Sequence, residues 1–348
     1  MGRLLYKQRA LEAGEMAPMP DLAEITRMLR TPLELNAKSG DRILIITDTA
    51  MDPLLWQGLS TAAREMGIEP VVTIMSPRET HATDPVAPIR RAAMGDDVDL
   101  CIYLTSTAMA HAPITDALVD RGQRFILMEE LTPAMLAPDG PASADYHALN
   151  ALGQKLAAVF SAGETVRVRC DNGTDLTASI KGRPGRSIAG LPLRLRPDGG
   201  GGCAFPDGEA HVCPMEGTGE GTVVFDLTAH SVGRIREPLR LTIRRGMVTA
   251  IEGGREAEIW NDILRKHDDP NNLNAPAEVA IGLNPKVTPT GSMRTDKKKY
   301  GTSHIGIGDT IALGGTCHAR LRLEGVISAP EITVDGQVLT RNGRILVE

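Results

Sequence analysis

Aromatic side chains make up only 3% of the 348 residues. Stacking platforms for bases or sugar rings are therefore not expected, and the cores must be built mainly from Ala, Val, Ile, Leu and Met. No apolar run is long enough to cross a bilayer, which argues against a membrane role. The opening segment MGRLLYKQRALEAGEM carries basic residues but no apolar core, so it does not read as a secretory signal, and Met1-Gly2 alone is a poor acylation signal. The five cysteines are odd in number and show no paired spacing, which suits a reducing cytoplasm. A formal net charge of −6 without a broad basic block argues against a nucleic-acid partner. Lys297-Lys298-Lys299 reads as a solvated loop, because tracking phosphates needs a wider basic patch.

Several catalytic signatures are missing too. There is no Gly-x-Ser-x-Gly elbow and no His-Glu-x-x-His helix, so neither a serine nucleophile nor a helical zinc protease is supported. The turn Asp48–Asp52 after the first predicted strand contains no glycine and lacks the phosphate-binding fingerprint of a dinucleotide fold. The glycine run Asp198–Cys203 (DGGGGC) predicts irregular backbone.

A length of 348 residues predicts two domains. In the first half, β-branched runs at Asp41–Thr47, Glu69–Ile74, Asp99–Leu104 and Arg124–Met128 alternate with helical periodicity at Pro53–Met66, Pro88–Met94 and Ile114–Arg121. That alternation predicts a Rossmann-like α/β domain with a parallel sheet covered on both faces and right-handed crossovers. A helix over Ala144–Phe160 leads out of it, placing a boundary near residue 162. Residues 163–348 read as a β-rich α+β domain. Thr165–Cys170 and Asp175–Ile180 alternate around Asn172-Gly173, a hairpin signal. Further strands are expected at Thr222–Leu227, Leu239–Arg244, Val279–Leu283, His304–Ile307, Ala319–Leu323 and Glu331–Val334, with one helix over Arg255–Lys266.

What this half does contain is Gly301–Ile327, GTSHIGIGDTIALGGTCHARLRLEGVI. It sets His304 and His318 in strand-like frames on either side of Gly314-Gly315. Glu278 heads the apolar strand that follows Pro276, where an unpaired carboxylate is costly. Glu209 follows the turn Pro206-Asp207-Gly208, and by itself reads as a surface residue. Two imidazoles and two carboxylates near strand ends are suitable ligands for a divalent ion. Cys317 and His318, being adjacent in a strand, point to opposite faces, which favours His318. A structural zinc cluster of Cys203, His211, Cys213 and Cys317 is a weaker alternative, because the spacing fits no cysteine knuckle. Tyr300 and Asp309 lie close to His304 and are candidates to assist proton transfer. Asp309 also reads as a turn residue, and Tyr300 as a packed loop anchor.

The stretches FPDGEAHVCPMEGTGEGTVVFD, IEGGREAEIWNDIL, AEVAIGLNP, GTSHIGIGD and TCHARLRLEGVI resemble, in order and spacing, the thermophilic metallo-aminopeptidase family (aminopeptidases T and S), a superfamily that includes 2,5-dihydroxypyridine 5,6-dioxygenase. The likeness runs from about residue 20 to the end. It implies metal-binding roles for Glu209, Glu278, His304 and His318, with zinc, cobalt or manganese activating water against an amide of a short-peptide substrate. It also implies a homodimer. Where that family carries His-Leu-Asp, this chain has His318-Ala319-Arg320, and a guanidinium cannot coordinate a cation. Arg320 is instead a candidate to hold a substrate carboxylate. The dioxygenase branch implies iron(II) and a small hydroxylated N-heterocycle as substrate, with Glu278, His304 and His318 as two histidines and one carboxylate. The expectation is thus a metal-dependent hydrolase, with ring-opening oxygenation as the alternative and a degenerate ligand-binding homologue as the third reading.

Overall fold

A computed structural model describes residues 19–81, 83–110, 112–194 and 201–347. The expectations for Met1–Met16 and for Asp198–Gly200 lie outside these residues. The chain divides into two compact units, Met1–Ser143 with Gly190–Pro206, and Ala144–Ala189 with Asp207–Glu348. The division therefore falls before the helix Tyr146–Ala162 and not near residue 162, and a later segment returns to the first unit.

Strands are numbered along the chain. In the first unit, β1 (Arg42–Asp48), β2 (Glu69–Met75), β3 (Leu100–Leu104) and β4 (Arg124–Leu127) alternate with helices Pro53–Glu65, Ala87–Ala93 and Pro113–Asp120. They pair in parallel, and β9 (Gly201–Ala204) continues the parallel sheet, with β8 (Leu193–Arg194) antiparallel at the edge. The order β2-β1-β3-β4-β9-β8 differs from the 3-2-1-4 start of a dinucleotide-binding Rossmann sheet. β1 past its first residue and all of β3 are buried, as central parallel strands must be, whereas the edge strand β2 alternates with exposed positions. The end of the glycine run is regular after all: Gly201 to Cys203 lie in β9. The missing side chain at Gly202 is what admits the Phe125 ring, since a Cβ there would lie 2.2 Å from Phe125 Cζ.

The second unit opens with the helix Tyr146–Ala162, capped by Asp145, whose side chain accepts from Ala148 N–H at 3.0 Å. Its buried positions Leu149, Gly153, Leu156, Ala157 and Phe160 form one face. Two antiparallel sheets follow. The first is eight-stranded: β5 (Thr165–Cys170), β6 (Thr174–Ser179), β11 (Glu220–Phe225), β14 (Leu239–Arg244), β15 (Met247–Glu252), β19 (Glu331–Val334), β20 (Gln337–Arg341) and β21 (Arg344–Ile345), in the order β15-β14-β11-β6-β5-β19-β20-β21. The helix Arg255–Lys266 buries Trp260, whose ring lies 5.7 Å from that of Phe225 and whose Nε1–H donates to His230 O.

The other sheet has seven strands: β7 (Arg186–Ile188), β10 (Glu209–Val212), β12 (Thr228–Ala229), β13 (Gly233–Arg234), β16 (Glu278–Gly282), β17 (Ser303–Gly308) and β18 (Arg322–Ile327). Their order is β13-β12-β18-β17-β16-β10-β7. The last of the long strands starts at Arg322, three residues later than the pattern Ala319–Leu323 suggests. Residues 309–321 instead form a loop closed by Asp309 N–H to Leu321 O and Thr310 N–H to Cys317 O, both 2.9 Å. Among the described residues, no helix is long and apolar enough to cross a membrane.

Candidate metal centre

The register of the seven-stranded sheet gathers ionisable residues on one face. His211 pairs with Ala280 and Ala280 with His304, while Glu278 pairs with Gly306 and Gly306 with Glu324. Side chains two apart share a face. Glu209, His211, Glu278, His304, Arg322 and Glu324 therefore all project the same way. The alternate positions Ala210, Val212, Val279, Ile281, Ile305 and Ile307 turn to the other face and are fully buried.

The sheet thus unites three of the four residues expected to bind metal, Glu209, Glu278 and His304, all buried. It does not unite them with His318. That side chain is 89% exposed on the 309–321 loop, where Nδ1 lies 3.2 Å from Asp309 Oδ2. The strand that would have turned it inward does not start until Arg322. His211 takes part in its place. The sequence signal was available: Glu209-Ala210-His211 is an alternate pair within one strand. The three cysteines proposed to join His211 in a zinc cluster have other neighbours. Cys203 Sγ is 3.2 Å from Asn36 Oδ1, Cys213 Sγ faces Pro214 O and Cys317 Sγ faces Asn271 O.

The remaining candidates lie elsewhere. Asp309 acts as a loop staple, accepting from Ile311 N–H and Ala319 N–H. Tyr300 Oη accepts from Ile345 N–H at 3.3 Å, and Arg320 is exposed, its N–H donating to Asp269. Among the described residues no hydrogen bond or ion pair joins Tyr300 or Arg320 to the cluster. Two of the three lysines in the run, by contrast, are drawn into ion pairs. Asp296 is fixed by the Thr228 hydroxyl at 2.6 Å and by Gly291 N–H at 2.7 Å, and the backbone after it turns Lys297 and Lys298 inward.

Distances within the cluster separate two kinds of contact. One oxygen of each central glutamate is held by a cation. Lys298 Nζ lies 2.5 Å from Glu209 Oε2 and 2.8 Å from Asp207 Oδ1. Arg322 Nη2 contacts Glu278 Oε2 and lies 2.9 Å from Glu324 Oε1, and Lys297 Nζ lies 2.7 Å from Glu324 Oε2. The other oxygen of each meets His211, whose Nδ1 is 3.7 Å from both Glu209 Oε1 and Glu278 Oε1. His304 Nε2 is 3.4 Å from Glu209 Oε2 and 3.5 Å from Glu278 Oε2.

Both ring nitrogens of His211 and of His304 are buried without a hydrogen-bond partner among the described residues. Buried polar atoms left this way are costly, each by about 1–3 kcal/mol. An ion bonded at about 2.1 Å sets neighbouring donors roughly 3.0–3.4 Å apart, close to the separations seen. Among the described residues, two donor groups of this kind occur, Glu209–His211–Glu278 and Glu278–His304–Glu324. The donor set fits a divalent metal.

Electrostatics keep the ligands in binding form. Burial pushes the Glu209 carboxyl up, but the charge of Lys298 above all outweighs it and brings its pKa to about 2. Burial likewise opposes ionisation of Glu278, and Arg322 above all overcomes it, leaving the carboxyl well below its usual range. Burial lowers the pKa of His211 despite the two glutamates, which favours the neutral, ligating imidazole.

The buried carboxylate–imidazole centre on the seven-stranded sheet of the second unit is that of a metalloenzyme. Residues 24–346 match the NicX family, described as 2,5-dihydroxypyridine 5,6-dioxygenase, and the chain belongs to that family. A curated relative, the 2,5-dihydroxypyridine 5,6-dioxygenase of Pseudomonas putida KT2440, is 24% identical over 262 residues, 70% of this chain and 71% of its own length. The solved structure of 2,5-dihydroxypyridine dioxygenase from Pseudomonas putida KT2440 superimposes with a TM-score of 0.80 at 20% identity, covering 94% of this chain and 99% of that one. AmpT from Thermus thermophilus superimposes with a TM-score of 0.68 at 14% identity, over 93% and 99% of the two chains. These two structural likenesses are of fold.

Proposed function

We propose that the chain is an iron(II)-dependent dioxygenase that opens a small hydroxylated N-heterocycle of the 2,5-dihydroxypyridine kind. Its carrying observation is the meeting of two unpartnered, buried imidazoles with Glu209 and Glu278. Glu209, His211 and Glu278 would hold the ion, with His304 beside the same two carboxylates, and the ion when bound would offer open positions to oxygen and to a chelating substrate. The protein's own part is to hold these donors. Lys298 and Arg322 tie down one oxygen of each glutamate, so that the carboxylates cannot swing.

Charge favours this substrate class. The carboxylates Asp207, Glu209, Glu278 and Glu324 are faced by Arg294, Lys297, Lys298 and Arg322. The side-chain frame is thus neutral before any ion enters. A divalent ion then leaves two positive charges buried, and an anionic substrate chelating through ionised hydroxyls would offset them.

The hydrolase expected from the sequence gives way, because the family match and the curated relative both carry the dioxygenase description, whereas AmpT shares the fold at 14% identity. The degenerate reading rested on Arg320 displacing a ligand, and Arg320 is exposed. The test is oxygen uptake by iron-loaded protein with 2,5-dihydroxypyridine, run beside zinc-, cobalt- and manganese-loaded protein with short peptides. Uptake coupled to loss of the ring absorbance supports the proposal. Peptide cleavage without oxygen uptake would sink it.

A further inference from the structure

The two donor groups share Glu278, yet they are not equivalent. In the group Glu209–His211–Glu278, His211 Nδ1 faces two Oε1 atoms, and the cations on these glutamates sit on the Oε2 atoms instead. In the group Glu278–His304–Glu324, a cation is already present. Arg322 Nη2 bridges Glu278 Oε2 and Glu324 Oε1, and Lys297 takes the second oxygen of Glu324. Arg322 comes from the same sheet face, opposite Gly308, and its side chain is 15% exposed. A guanidinium and a divalent ion cannot occupy the same carboxylate pair, because like charges a few ångströms apart in a buried site repel by several kcal/mol.

We propose that Arg322 fills the second of two cation positions, so that the centre takes one divalent ion, at Glu209, His211 and Glu278. Arg322 is thereby a residue that sets metal stoichiometry. The inference rests on the reading of the cluster as a metal centre, though not on the reaction.

The test is metal stoichiometry on the full-length protein, by equilibrium dialysis against Mn²⁺ with elemental analysis. Wild type is expected to bind one ion per chain. Arg322→Ser, which empties the second position, is expected to bind two, and Arg322→Lys to remain at one. Since Arg322→Ser removes the arginine from Glu278 and leaves Glu324 with Lys297 alone, and can fail to fold, a second comparison is made in the wild-type background. Glu209→Gln is expected to lower Mn²⁺ affinity at least about 100-fold, whereas Glu324→Gln, whose carboxylate belongs to the arginine, changes it by less than about threefold. Two ions in wild type overturn the proposal, as does a loss in Glu324→Gln equal to that in Glu209→Gln. One ion per chain without oxygen uptake on 2,5-dihydroxypyridine refutes the proposed reaction and leaves this inference standing. No ion at all refutes both.

Discussion

Glu278 and Glu324 face each other across Gly306, the residue paired with both of them in the strand between. A Cβ at Gly306 would lie 3.4 Å from Glu278 Cβ and 3.6 Å from Glu324 Cγ, ordinary contact distances. Gly306→Ala is therefore expected to fold and keep its metal. Gly306→Val places two methyls between the carboxylates and should cut metal affinity about tenfold or more. Titration of the two variants with Mn²⁺ checks this, and equal affinities would refute it.

His211 and His318 make opposite predictions. His211→Ala removes the ring that faces both Oε1 atoms and should lower metal affinity about 100-fold or more. His318→Ala removes an exposed ring and should leave affinity within about twofold and melting temperature nearly unchanged. A reversed order would return His318 to the ligand set.

Metal removal should destabilise the protein, since an ion that binds only the folded state adds stability. At a metal concentration about 100 times Kd this is about 2.7 kcal/mol, enough to raise the melting temperature by several degrees. Calorimetry with and without chelator reads the shift, and Glu209→Gln should show little of it.

The loop that carries His318 hangs on Glu216. Its Oε1 accepts from the Thr310 hydroxyl and Thr316 N–H, both at 2.7 Å, while Oε2 contacts Arg183. Burial pushes this carboxyl up, but Thr316, Thr310 and Arg183 outweigh it and bring its pKa from 4.5 to about 2. A lowered folded-state pKa gives stability that is complete above the unfolded value and is lost as pH falls from about 4.5 to about 2. That contribution is of the order of 2–3 kcal/mol. Glu216→Gln should be less stable than wild type at pH 7 and should show a flatter decline over this window in acid melting curves.

Trp260 is fully buried between the helix Arg255–Lys266 and Phe225. Trp260→Ala should cost about 3–5 kcal/mol, read by denaturant titration.

Much of the scaffold was legible because local periodicity decided it. The helix Arg255–Lys266 and strands Thr165–Cys170, Leu239–Arg244 and Glu331–Val334 fall where their patterns put them. Glu278 and His304 were legible as candidates from their frames, and Glu209 only through the family resemblance. What failed depended on contacts distant in sequence. Gly202 is in a strand because Phe125 needs its empty space, and Lys298 is buried because Asp207 and Glu209 receive it. His318 looked like a strand residue until Glu216, about a hundred positions earlier, proved to hold its loop in place. His211 was weighed only with the cysteines, although its alternation with Glu209 was local; that it meets Glu278 depends on the pairing of β10 with β16.

The tethers on Glu209 and Glu278 also govern which ions are turned away. With Oε2 engaged by an ammonium in one case and a guanidinium in the other, each glutamate has a single oxygen to give. Calcium requires six to eight oxygens and commonly grips a carboxylate by both. A centre of singly available carboxylates and imidazoles starves that ion of ligands while satisfying a smaller transition metal, so abundant calcium is no competitor for it.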